Sequence, residues 1–209
     1  MSATAAPTAS DRSDFRTVVL GGVRTGVLTA FAVVVFLAAA RLVPDMGVGG
    51  GALRSGVETL IVLAAGVVVT FFPARWSVAR QVEGIAGAAA IGLVGTVTFM
   101  AIDVALFRPL KAYPWTWDAI GGGSTWWYLP VWWMLGTFVA WMGGIVTARQ
   151  AARGDATLGR CAMPTVVGAV ILATVARVAG LSFALPFATG VAFAIVLALL
   201  AVVALARKG

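Results

Sequence analysis

Histidine is missing from all 209 residues of this chain, and cysteine occurs once, at Cys161. That inventory excludes histidine-held haem, histidine-bound zinc or copper, and any Cys/His nucleophile pair, and a single thiol builds no disulfide framework. Charge is scarce as well: Asp, Glu, Lys and Arg make up 11% of the residues, against roughly a quarter in an ordinary soluble domain. A water-soluble globule needs more charged surface than this chain supplies. What is there is apolar, with 61% hydrophobic residues, 25 glycines besides, and a mean hydropathy of +0.99. Most of such a chain belongs in lipid.

The net charge of +7 and the isoelectric point near 11.1 do not point to nucleic acid, because the 15 basic residues stand singly between apolar runs and form no stripe. They read as topology signals. Residues 1–16 are small and polar, with Asp11 and Asp14 among arginines and no apolar segment of the kind a signal peptidase recognises, so an N-terminal tail is expected there. Six apolar runs follow, near 18–40, 57–72, 85–107, 126–146, 164–181 and 187–206. A helix needs about 20 residues to cross a 30 Å hydrocarbon core. The stretch from Met163 to Ala206 is twice that, so it turns back once, at Gly180, Ser182 and Pro186. A Gly/Pro-rich connection is expected between Arg41 and Gly56, and the second span is expected to close at Pro73. The long runs lack the ten-residue alternation of a transmembrane barrel. The fold class is therefore all-α, a polytopic transmembrane bundle of six spans, or five if the last stretch holds a re-entrant segment.

With six spans, nine basic residues (Arg12, Arg16, Arg75, Arg80, Arg149, Arg153, Arg160, Arg207, Lys208) fall on one side and four (Arg41, Arg54, Arg108, Lys111) on the other. The excess of Lys and Arg in cytoplasmic loops places both termini in the cytoplasm, in a cell (inner) membrane. Residues 108–125, RPLKAYPWTWDAIGGGST, then form an extracytoplasmic loop rich in Trp, Gly and Pro.

Seven of the eight tryptophans lie between Trp115 and Trp141. An aromatic belt at the headgroup level accounts for rings of this kind, but a belt is shared among helices, whereas here one loop and one span hold nearly all of it. Trp126, Pro130, Trp133, Thr137 and Trp141 follow spacings of three and four, one helical face over roughly 22 Å. With Trp115 and Trp117 at its mouth, that face suits flat apolar rings or chains: a lipid, a quinone, a carotenoid or a neighbouring helix. A second set comprises the ionisable residues Glu58, Asp103 and Arg177 near the outer span ends. Charge at membrane depth costs a few kcal/mol, so Arg177 is expected to pair with Asp103 or Glu58. Small residues at four-residue spacing, Gly22 and Gly26, then Gly84, Ala88 and Gly92, then Gly190 and Ala194, mark faces where helices approach closely.

The segment PWTWDA resembles the tryptophan-rich haem-handling loop of cytochrome c biogenesis membrane proteins, which implies haem ligation by flanking histidines; none exists here. LPVWWMLGTFVAW is similar to the Pro-Val-Trp segment of the tryptophan-rich sensory (translocator) proteins, which have five helices and carry it earlier. The chain is assigned to neither family. With no catalytic constellation or metal-ligand cluster in the sequence, the expected role is non-catalytic. The chain reads as an accessory or structural subunit that packs with other membrane proteins and holds a lipid, quinone or carotenoid. A carrier of small or lipophilic substrates is the alternative.

Overall fold

The computed structural model describes residues 13–43, 47–112, 128–154 and 156–206. These form six helices: α1 (Phe15–Leu42), α2 (Gly47–Trp76), α3 (Val82–Ile102), α4 (Tyr128–Ala152), α5 (Leu158–Val178) and α6 (Leu185–Ala206). All six are long and apolar enough to cross a membrane, and no strand occurs among the described residues. The six-span architecture is thus the one adopted; the five-span alternative is not. The turn between α5 and α6 falls where the sequence puts it, with Gly180 at φ +88°, a left-handed conformation that glycine adopts without steric cost.

Two boundaries differ from expectation. α2 starts at Gly47, inside the stretch read as a connection, because five glycines in the ten residues 47–56 look like a loop by the standards of water. Near lipid the backbone has no water to bond to, and the helix is the conformation that satisfies it. The pair Arg54 Nε to Glu58 Oε1, 2.9 Å apart and one turn along the same helix, supports that extension. At the other end, α2 runs through Pro73 to Trp76, since proline removes a single i→i−4 bond without forcing the turn to unwind. The stop comes one turn later, where the Ser77 N–H and hydroxyl both donate to the Pro73 carbonyl at 3.0 Å.

α1 is capped by Asp14, whose carboxylate accepts from the Thr17 N–H at 3.0 Å and the Thr17 hydroxyl at 2.7 Å. The first turn therefore begins at Phe15 and takes in two residues of the expected tail. α3 continues past Ile102 into a π-helical turn, Asp103–Phe107, in which the Arg108 N–H reaches back five residues to the Asp103 carbonyl at 2.9 Å.

α3 lies between α1 and α4 and packs on both through glycine. A methyl group at Gly26 would lie 2.7 Å from the Gly95 carbonyl oxygen, and one at Gly92 would lie 2.6 Å from the Gly136 carbonyl oxygen. At these crossings the glycine backbone lies against the facing backbone and the short side chains beside it, Thr98 and Ala140. Lipid tails are as apolar as leucine, so this close approach, and not the hydrophobic effect, holds the helices together. The other core gathers α2, α4, α5 and α6 around Phe71, Cys161, Ala169, Phe193 and Leu197, with α5 packed chiefly against α6.

Candidate functional site

The middle turns of α1, α2 and α3 do not close on one another completely. With α4 and α6 they line a partly open chamber of about 280 Å³, whose mouth is bordered by the exposed side chains of Trp132 and Leu135. α1 contributes Thr25 and Thr29, α2 Gly66 and Val69, α3 Gly95, Thr96 and Phe99, α4 Trp132 and Gly136, and α6 Gly190 and Phe193. Among the described residues, none on the wall is ionisable. The space exists because Gly66 and Gly190 have no side chain to fill it: a methyl at Gly66 would just reach the Phe193 ring at 3.3 Å, and one at Gly190 the Val62 side chain at 3.4 Å.

A second concavity lies outside, between α3 and α4, lined by Trp133, Thr137, Phe138 and Trp141 together with Ala86, Ala89 and Leu93. The expected face of α4 is present in its described part, because Trp133, Thr137 and Trp141 share this groove. Pro130 lies in the third position of α4 and outside the groove lining. Trp133 and Trp141 are 39% and 42% exposed, which turns them toward lipid. Trp115, Trp117 and Trp126 lie outside the described residues.

The ionisable residues do not assemble as expected. Glu58 pairs with Arg54, its neighbour one helical turn away, and not with Arg177. Asp103 is buried at the π-helical turn of α3, whereas Arg177 is exposed at the end of α5, and α3 and α5 are not packed neighbours. The Asp103–Arg177 pair therefore does not form. Within a single helix the i,i+4 geometry comes at no cost in tertiary packing, which is why Arg54 is the partner Glu58 has.

The small-residue faces are used inside the chain. Gly22 and Gly26 meet Val94, Gly95 and Thr98; Gly92 meets Gly136 and Ala140; Ala88 borders Gly144; Gly190 and Ala194 face the chamber. Thr25, Thr29 and Thr96 were not singled out from the sequence, and only their small-or-hydroxyl spacing on α1 and α3 signals them; Trp132 belongs to the tryptophan cluster that the sequence shows. Three further buried threonines, Thr70, Thr147 and Thr165, have no hydroxyl partner among the described residues and lie away from the chamber.

Six helices long and apolar enough to cross a membrane define the class: a polytopic α-helical protein of the lipid bilayer. Compared with models of protein families, with curated proteins and with solved structures, the chain matches none.

Proposed function

We propose that this protein is a non-catalytic membrane component that holds a small uncharged lipophile inside its bundle. The observation that carries this reading is the chamber between α1, α2, α3, α4 and α6, about 280 Å³ and with no charged side chain among the described residues of its wall. Ligand sites are characteristically concave, mostly apolar and supplied with a few polar groups, and threonines on an otherwise apolar wall answer that description. Benzene occupies an engineered cavity of about 150 Å³, so by proportion this chamber takes about eleven non-hydrogen atoms. That is a ring with a short chain, or the head of a longer lipophile, rather than a whole carotenoid.

Purification in mild detergent followed by organic extraction and mass spectrometry tests the reading. One equivalent of a lipophile per chain is expected, lost when Ala194→Phe fills the chamber from α6. Wild-type and A194F protein carrying the same extractable lipids in the same amounts would overturn it.

A second reading, a subunit docked to other membrane proteins, is favoured by the groove of Trp133, Phe138 and Trp141, which offers broad aromatic surface to a lipid-facing partner. Co-elution with other chains at fixed stoichiometry, abolished by Trp133→Ala with Trp141→Ala, supports it. The carrier and subunit roles are compatible, since one uses the interior and the other the exterior of α4.

A further inference from the structure

The chamber wall has a hydrogen-bonding polarity of its own. Each of its threonine hydroxyls has already committed its hydrogen: Thr25 Oγ1 donates to the Gly21 carbonyl at 2.9 Å, Thr29 Oγ1 to the Thr25 carbonyl at 2.8 Å and Thr96 Oγ1 to the Gly92 carbonyl at 2.9 Å. A hydroxyl has one hydrogen and two lone pairs, so what these oxygens have left to offer is acceptance. Pro73 adds to the imbalance. Having no N–H, it does not supply the donor that the carbonyl of Val69, four residues back and on the chamber wall, receives in an uninterrupted helix. Among the described residues of the wall the one side-chain N–H donor is the Trp132 indole, set against three threonine oxygens.

A surface rich in acceptors, poor in donors and free of charge discriminates among lipophiles. An ion would enter without a counter-charge, at a cost of several kcal/mol. An ether, ketone or quinone brings further lone pairs to a wall that already has them in excess. An alcohol or phenol brings the missing hydrogen, and its desolvation on leaving water is compensated by the bond it makes.

We infer that the chamber selects an uncharged lipophile bearing a hydroxyl donor, an alcohol or a phenol, over the ether or carbonyl compound of the same shape. The inference rests on the chamber being a ligand site, as proposed above, and specifies what the site takes.

Two probes that differ in the donor hydrogen test it: 4-propylphenol and its methyl ether, 4-propylanisole, titrated into the full-length protein in lipid nanodiscs with empty nanodiscs as the partition blank. The phenol is expected to bind saturably and on the order of tenfold more tightly than the ether, the effect of one hydrogen bond to a buried partner. In Thr29→Val with Thr96→Val, which keeps shape and removes two of the wall's acceptors, the gap is expected to narrow at least about threefold while the ether's affinity holds, and an unchanged gap would overturn the donor rule. Thr29→Val alone, at a half-buried position, serves if the double variant does not fold. Equal affinities for the two probes, both abolished by Ala194→Phe, would sink the donor rule and leave the chamber standing as a site. No saturable binding of either probe, or binding indifferent to Ala194→Phe, would remove the chamber as a site and the selectivity with it.

Discussion

Replacing Gly143 by alanine adds one methyl group where α4 crosses α2. The added carbon would collide with the Thr70 carbonyl oxygen and lie 2.7 Å from Thr70 Cγ2 and 2.8 Å from the Thr70 carbonyl carbon. Carbon atoms rest at about 3.5–4.0 Å, so the two helices must separate by about 1 Å. The obstacle is backbone, and Thr70 is fully buried, so no side-chain rotation relieves the clash. Overpacking of this kind costs about 1–3 kcal/mol, and the upper part of that range applies here. The same substitution at Gly56 in α2 or Gly159 in α5 meets nothing within 4 Å. There the gain in chain stiffness acts alone and adds about 0.4–1 kcal/mol of stability. For a chain of this size roughly 2–4 °C of melting temperature accompanies each kcal/mol. Gly143→Ala is therefore expected to melt roughly 4–12 °C below the wild type in the same detergent, and Gly56→Ala at or slightly above it. A Gly143→Ala protein as stable as the wild type, or a Gly56→Ala protein that falls equally far, would refute the glycine-mediated crossing of α2 and α4.

Two further perturbations probe other parts of the fold. Cys161, the chain's one thiol, is 2% exposed, so a maleimide should leave it unmodified in the native protein and label it fully after denaturation in SDS; rapid labelling under native conditions would contradict the packing of α5 on α6. Glu58→Gln breaks the Arg54–Glu58 pair, whose arginine side chain is 37% exposed, and a pair so open to its surroundings is worth at most about 0.5 kcal/mol; a loss of several degrees in thermal denaturation would mean that Glu58 supports more than its own helix.

The six spans are legible in the sequence because bilayer thickness, not side-chain detail, sets their length. The shared face of Trp133, Thr137 and Trp141 is legible for a similar reason: the helical period alone brings those three side chains into line. Where spacing leaves choices open, the sequence does not decide. Gly26 and Gly66 are equally small, yet the first is pressed against α3 and the second borders a void, and the difference lies in how the helix axes cross. The partner of Glu58 was open in the same way. An interhelical pair with Arg177 required that α2 and α5 bring the two outer ends together, whereas Arg54 required only an intact turn of α2. The start of α2 at Gly47 was hidden because glycine weakens a helix in water by about 1 kcal/mol, a penalty that tertiary packing and a lipid surround override.

The wall that α6 supplies to the chamber, Gly190, Phe193 and Ala194, is the last of it to leave the ribosome. α1 to α4 meet one another earlier in synthesis. A chain terminated after α5 would lack this part of the wall, so the pocket is complete only once the C-terminal hairpin is in place.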